Sequence, residues 1–281
     1  MTPAMRTVRA LWGSTHPGPT LVVTALALAL GIAVGLEPWR LVLLTLAVFA
    51  GQLSIGLSND AIDSPRDTAV GRTDKPIARG DVSERTAWIA AIGAAVAALA
   101  LSAPLGFGML AAHALFLASA WSYNAGLKST AFSIVPFLVS FGIFPSLATL
   151  SMPDPRVAAP WGWIAGAALG AAVHLTNVLP DLDDDRATGV RGLPHRLGAR
   201  VSAVVAAGGI VVGAIAVLVG GSQGSPSVLS WVFFSAVVVV AVGTAVLALV
   251  RPPTRVLFRL VMLAALLLAA QLVATGGAYA A

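Results

Sequence analysis

Eight of the 12 acidic residues in this 281-residue chain fall in two short segments, which supply most of its charged chemistry. The first, residues 59–80, reads NDAIDSPRDTAVGRTDKPIARG. Asp60, Asp63 and Asp67 follow one another at i+3 and i+4, so on a continuing helix they share one face, with Asn59 one turn before Asp63. Carboxylates in a row repel and hold their protons more tightly unless a cation sits between them. Every donor is an oxygen and the chain has no Cys, which points to a hard divalent metal. Arg66, Arg72, Asp74, Lys75 and Arg79 surround the carboxylates with further charge.

The second segment, residues 174–200, reads HLTNVLPDLDDDRATGVRGLPHRLGAR. Its spacing predicts one helical stripe carrying His174, Asn177, Asp181 and Asp185, with Asp184 beside it. Pro180 is expected to kink that helix just before the carboxylates. Two acidic clusters with basic neighbours suit a polyanion held through metal ions. Mg²⁺ takes one or two carboxylates plus phosphate oxygens, so a diphosphate fits, with Arg72, Lys75, Lys128 and Arg191 as its cationic partners. The competing explanation is a rim of solvated loop charges. Two Asn-plus-Asp stripes facing the same way argue against it.

Residues 121–128, WSYNAGLK, add Lys128 for the phosphates and Tyr123 for the reacting carbon, although Tyr123 and Trp121 also suit interfacial anchoring. Phe137, Phe141 and Phe144 keep an i, i+4, i+7 stripe that reads as helix packing in preference to a cation-stabilising wall. His174 is suited either to an interhelical hydrogen bond or to substrate contact.

The elements that position these residues follow from composition. Hydrophobic residues make up 58% of the chain and charged residues 10%, against about 25% charged in a soluble domain. Mean hydropathy is +0.89. Long, non-alternating apolar runs in such a chain are membrane helices, since only helices and closed barrels satisfy their backbone in lipid and a barrel would alternate. The runs fall at 20–36, 39–58, 85–102, 105–123, 131–150, 161–180, 200–220, 228–250 and 256–275, predicting nine spans in one domain over 1–281. An inner N-terminus puts 15 of the 17 basic residues on the inner side, leaving Arg40 and Arg156 outside. Both acidic segments then lie on the cytoplasmic side of what is expected to be the plasma membrane. The first 20 residues read as a cytoplasmic lead into the first span, not a cleaved signal. The net charge of +5 belongs to short loops and lipid headgroups, and no recognition pattern for nucleic acid accompanies it. Without cysteine there is no disulfide or thiolate chemistry. The two charged inner connections, four spans apart, hint at two related halves.

These motifs resemble those of the UbiA superfamily of intramembrane prenyltransferases. Asn59, Asp60, Asp63 and Asp67 match its N-D-x-x-D-x-x-x-D motif after the second helix, and residues 71–77, GRTDKPI, resemble the basic element that trails it. Asn177 and Asp181 to Asp185 match the D-x-x-x-D motif after the sixth helix, and Tyr123 with Lys128 resembles a Tyr…Lys pair after the fourth. The resemblance implies an all-α bundle of nine transmembrane helices around a central cavity and a Mg²⁺-dependent transfer from a prenyl diphosphate. Asp60, Asp63 and Asp67 would hold one ion, and Asp181 and Asp185 a second. Asp183 and Asp184 leave the choice of ligands in that cluster open. Arg72, Lys75 and Lys128 would clamp the diphosphate, Asn59 and Asn177 would orient or ligate, and the prenyl tail would lie in an apolar tunnel. An aromatic acceptor is the first expectation, with His174, Thr176, Gln52 and Ser54 as polar candidates inside the spans. A terpene cyclase using the same metal site, and an isoprenoid-phosphate binding or transport protein, are the alternatives.

Overall fold

Proline and glycine set the helix boundaries that the apolar runs leave open. The computed structural model describes residues 2–187, 189–222, 225–252 and 254–275, with the side chains of Pro3, Asp183, Asp184 and Ala187 outside the description. Among the described residues there are helices and no β-strand. They are α1 (Pro3–Ser14), α2 (Pro17–Ala33), α3 (Pro38–Ala69), α4 (Glu84–Ser102), α5 (Phe107–Asn124), α6 (Val135–Thr149), α7 (Pro160–Asn177), α8 (Leu182–Ala187), α9 (Leu193–Leu197), α10 (Ala199–Gly221), α11 (Val228–Val250) and α12 (Arg255–Thr275). Pro3, Pro17, Pro38 and Pro160 open their helices, where a missing N–H costs nothing. Gly106, at φ 119°, separates α4 from α5 in a conformation that a side chain would strain.

Each of the nine apolar runs holds a helix, but length and composition qualify fewer as spans. Six are long and apolar enough to cross a membrane: α3, α4 with its 3₁₀ extension to Leu105, α7 through Asp181, α10, α11 and α12. A seventh is counted if α1 and α2, bent by 71°, form one broken span. α6 has 15 residues, about 22 Å of helix against about 30 Å of hydrocarbon. α5 carries His113, Ser119, Ser122 and Asn124, which dilute its apolar character. Residues 3–14, read from sequence as a simple lead, form a helix of their own, capped where Thr2 accepts from the Met5 N–H.

The helices close a ring: α2 packs on α3, α3 on α5, α5 on α6, α6 on α7, α7 on α12 and α12 on α2, with α4, α10 and α11 outside. Small residues permit the close approaches that lipid-embedded helices depend on. A Cβ on Gly166 would stand 2.1 Å from the Phe141 carbonyl oxygen, and one on Gly170 would stand 2.6 Å from that of Phe137. Leu44, Met109, Leu147, Leu175, Ile210, Val237 and Val261 are fully buried, whereas Ile89, Val96, Val232 and Val239 point outward to where lipid would lie.

Two features place the acidic segments. α3 runs unbroken for 32 residues, about 48 Å, so its last three turns extend past the apolar stretch and carry Asp60, Asp63 and Asp67. At the second segment the expectation of one kinked helix is corrected. α7 ends at Asn177, a 3₁₀ turn spans Leu179–Asp181, and α8 restarts at Leu182. Pro180 sits inside that turn, where its missing N–H and its ring break the ladder outright. His174, Asn177, Asp181 and Asp185 therefore do not form one continuous helical stripe.

Candidate active site

A polar cavity of about 210 Å³ is lined by Asn59, Asp63 and Asp67 from α3 and by Asn177, Asp181 and Asp185 from the α7–α8 break. The two acidic segments thus share one chamber despite lying more than a hundred residues apart. Arg66, Arg72, Lys75, Lys128 and Arg255 are on its walls, with Tyr123 and His174. A second cavity, of about 280 Å³ and mostly apolar, runs inside the helix ring between α2, α3, α5, α6, α7 and α12. His16, Asn59, Tyr123 and Asn177 line both, so the chambers meet at these four side chains.

Every described carboxylate around the polar chamber faces a base. Lys128 Nζ donates to Asp63 Oδ1, and Arg66 Nη2 lies 3.2 Å from Asp63 Oδ2 and 3.6 Å from Asp67 Oδ1. Lys75 Nζ donates to Asp60 Oδ1 at 2.6 Å, and His16 Nε2 is 3.0 Å from the same oxygen. Arg72 grips Asp74 through two hydrogen bonds of 2.8 and 2.9 Å and comes within 3.9 Å of Asp181 Oδ1. Arg255 stands 3.7 Å from Asp181 Oδ2, and His195 Nε2 stands 3.5 Å from Asp185 Oδ2. The hydrogen bonds from Arg72 hold the Asp74 carboxyl well below the usual range and in turn raise the guanidinium. Burial pulls the Lys128 ammonium down, opposed by Asp63. Burial also pushes the Asp185 carboxyl up to about 6; Asp181 and Asp63 add to that rise, while Arg66 and Lys128 oppose it.

The sequence-derived candidates are not all brought to the chamber. Asp60 is buried at 2% exposure and is not on the wall; its Oδ1 is taken by Lys75 and His16 and its Oδ2 has no partner. Arg191 is exposed and off the wall, although its neighbours Val190 and Gly192 line it. The side chain of Asp184 lies outside the described residues. His174 is buried, with Nε2 3.0 Å from Ser133 Oγ and Nδ1 unpartnered. Tyr123 stands edge-on to Phe137 at 5.0 Å and to His174 at 5.7 Å.

Phe137, Phe141 and Phe144 pack as expected, Phe141 lying 6.2 Å from both Phe137 and Phe144 and Phe144 belonging to the buried core, and all three also line the apolar cavity. Gly166 and Gly170 bring α6 and α7 together, with the Phe137 and Phe141 carbonyls and the Cβ and ring Cγ of Phe141 lying close against them. The sequence names Arg66 only as surrounding charge and gives no site role to His16, Arg255 or His195. His16 left one local signal, standing directly before Pro17, where it adopts φ 54°, the only non-glycine positive φ among the described residues. Arg66 lies one turn from Asp63 within the quoted motif, while His195 and Arg255 belong to no spacing pattern.

Among the described residues no three His, Asp or Glu side chains converge as a ready metal site. The donor set still fits Mg²⁺, which needs only one or two carboxylates when phosphate oxygens and waters complete its shell. Asp63 with Asp67, and Asp181 with Asp185, offer two such pairs on one chamber, and the orphaned, buried Oδ2 of Asp60 is a further unsatisfied oxygen donor.

The UbiA prenyltransferase family model matches residues 20–268. A digeranylgeranylglyceryl phosphate synthase from Natronomonas pharaonis is 31% identical over 172 residues, covering 59% of this chain and 61% of that protein. One from Methanoregula boonei is 30% identical over 213 residues, covering 71% of this chain and 72% of that protein. The chain therefore spans about three fifths of the first of these curated relatives. In structure, the chain is similar to an apo UbiA homologue from Aeropyrum pernix K1, with a TM-score of 0.74, 17% identity and coverage of 96% of this chain and 98% of that one. A UbiA homologue from Archaeoglobus fulgidus bound to GPP and Mg²⁺ gives a TM-score of 0.74 at 14% identity, covering 94% and 98%. At these identities the two structures speak for the fold.

Proposed function

Because the chain belongs to the UbiA prenyltransferase family, we propose that it is an integral membrane enzyme that moves an isoprenyl group from a prenyl diphosphate to an acceptor and releases diphosphate. One observation carries this reading: a chamber lined by both acidic segments opens, at Asn59, Tyr123 and Asn177, into an apolar cavity suited to a prenyl chain. The binding of GPP and Mg²⁺ by the Archaeoglobus fulgidus homologue supports it.

Asp60, Asp63 and Asp67 would hold one Mg²⁺, and Asp181 and Asp185, with Asp184, a second. When bound, Mg²⁺ supplies positive charge against the negative charge that grows on the leaving diphosphate. The chain's own residues do the rest. Lys128, Arg66, Lys75 and Arg72, each paired with a carboxylate, carry N–H groups that would donate to phosphate oxygens of a bound diphosphate. Tyr123 and Phe137 present aromatic faces and edges at the junction where an allylic cation forms. The apolar walls keep water from that cation. The whole chain forms one domain whose nine apolar helices all cross the plasma membrane, with the N-terminus and the polar chamber cytoplasmic.

Two acceptor classes are in play. An aromatic ring is the choice that the breadth of the family favours. The hydroxyl of a glyceryl phosphate is favoured by the names of the two relatives at 30–31% identity. The deciding experiment is mass spectrometry of products after supplying the purified protein with Mg²⁺ and prenyl diphosphates of several lengths, with and without an aromatic acid and a prenylglyceryl phosphate. A prenylated acceptor with released diphosphate is the expected result. A cyclic product formed without acceptor would make it a terpene cyclase. Mg²⁺-dependent binding with the prenyl diphosphate recovered intact would make it a carrier.

A further inference from the structure

His195 takes no part in the scheme above, yet it is the least satisfied polar side chain on the wall of the polar chamber. It lines that chamber, its side chain is 3% exposed, and neither ring nitrogen reaches a partner in good hydrogen-bond geometry, the Gly192 backbone interacting with the ring only weakly. Asp185 Oδ2 approaches Nε2 only to 3.5 Å, longer than an effective N–H···O bond. Buried polar groups in native proteins are nearly always paired, and leaving one unpaired costs its full desolvation penalty. A buried imidazole whose nitrogens lack well-formed partners is poorly explained by packing alone.

The position is built, not incidental. Leu193 N donates to Ser133 Oγ at 2.8 Å, and the same hydroxyl meets His174 Nε2 at 3.0 Å. A Cβ on Gly192 would stand 2.5 Å from the Lys128 carbonyl oxygen, so the turn entering α9 lies hard against the segment that carries Lys128. Arg186 Nη2 donates to the His195 carbonyl at 3.3 Å, and Gly198, at φ 80°, ends the turn. The backbone is thus held from both sides, and the ring is carried to the wall shared by Lys128, His174 and Asp185.

We propose that His195 is a substrate-binding residue whose ring N–H donates a hydrogen bond to a phosphoryl oxygen of the diphosphate. This rests on the reading that the polar chamber takes a diphosphate. A neutral imidazole offers one donor and one acceptor. The donor suits an anion, whereas hard Mg²⁺ selects oxygen ligands over ring nitrogen. His195 thus complements Lys128 as a leaving-group contact that carries no charge of its own.

The test is calorimetric titration of the purified full chain with inorganic pyrophosphate in saturating Mg²⁺, comparing His195→Leu, which keeps the volume and removes the donor, with His195→Gln, which keeps an N–H. His195→Leu is expected to bind pyrophosphate about 10- to 100-fold more weakly, the range for a hydrogen bond to a charged group, and His195→Gln to stay within about fivefold. In turnover, the KM for prenyl diphosphate rises in His195→Leu while the acceptor KM holds. Wild-type affinity in His195→Leu overturns the proposal. So does equal weakening in both variants with a lowered unfolding midpoint, which marks a packing role, or a change confined to Mg²⁺ affinity, which marks a metal ligand. If the wild type itself fails to bind Mg²⁺-pyrophosphate, the diphosphate reading of the chamber falls and this proposal falls with it.

Discussion

Lys128 and Asp63 illustrate what single side chains in this chamber are asked to do, because each is the main partner of the other at 11% and 10% exposure. Removing one partner of such a buried pair leaves an uncompensated charge, which costs about 3–5 kcal/mol when nothing else compensates. Arg66 still faces Asp63 at 3.2 Å, so Lys128→Met should destabilise the metal-free protein by less, about 2 kcal/mol. Unfolding midpoints in detergent with and without Mg²⁺ test this, since a cation bound at Asp63 should restore part of the loss. Turnover should fall at least about 100-fold, the scale of losing one charge-stabilising donor to a leaving group. Asp185 supplies a pH prediction. Its carboxyl is raised to about 6, so it contributes stability that is present below its unfolded value of about 4 and is lost as pH rises through about 6. The metal-free midpoint should decline across that window and flatten in Asp185→Asn. Added Mg²⁺ should offset the decline above pH 6 and lose its grip below, where it competes with the proton. A midpoint in wild type that does not respond to pH in this interval would remove the argument. At this scale the sequence is an uneven guide. Asp63 and Lys128 announce themselves through spacing and charge, whereas His195 and Arg255 acquire meaning only from what the fold places opposite them.

At the scale of elements, α3 was legible because one helix carries its chemistry: i+3 and i+4 spacing fixes the relation of Asp60, Asp63 and Asp67 whatever the rest of the chain does. The second segment was legible in content but not in shape, since a proline in an apolar helix either kinks it or ends it, and packing decides which. α1 escaped notice because its mixture of Arg6, Arg9, Met5, Val8 and Trp12 follows no single apolar run. Helix-to-helix distance is also invisible in the sequence, and here it makes a prediction. Gly166→Ala places a methyl against the Phe141 carbonyl, which is backbone on the neighbouring helix and cannot rotate away. Overpacking of this kind costs about 1–3 kcal/mol. Gly243→Ala in α11 meets nothing within 4 Å and should instead gain about 0.5–1 kcal/mol of helix propensity. Equal midpoints for the two variants would show that α6 and α7 do not touch as described. Gly166→Ala should further disturb prenyl-chain selectivity, because moving α6 moves Phe137 and Phe141 on the cavity wall.

For the whole molecule, the charge distribution and the fold agree on two ends. Of the basic residues expected outside, Arg40 Nη1 donates to the Ser151 carbonyl at 2.9 Å, joining the first turn of α3 to the connection before α7 that carries Arg156. The polar chamber, with Asp63, Asp181, Lys128 and Arg255, gathers at the far ends of those same two helices. Since α3 begins beside Arg40 and carries Asp60, Asp63 and Asp67 in its last turns, and α7 follows the connection that holds Ser151 and leads into Asp181 and Asp185, the proposed membrane embedding leaves the chamber on one side and this contact on the other. Positive-inside sorting supports the proposed orientation with the chamber cytoplasmic, because 15 of the 17 basic residues are expected on that side. The absence of native cysteine makes the prediction clean to check. Arg79→Cys and Arg156→Cys replace exposed side chains, 45% and 56% accessible, in the connections at the two ends. In intact cells a membrane-impermeant maleimide should label position 156 and spare 79, and permeabilisation should expose 79. Labelling of 79 alone in intact cells would invert the topology, and equal labelling of both would deny the bundle a fixed orientation in the membrane. The first of these would also move metal and diphosphate binding to a compartment where the sorting of basic residues has no explanation.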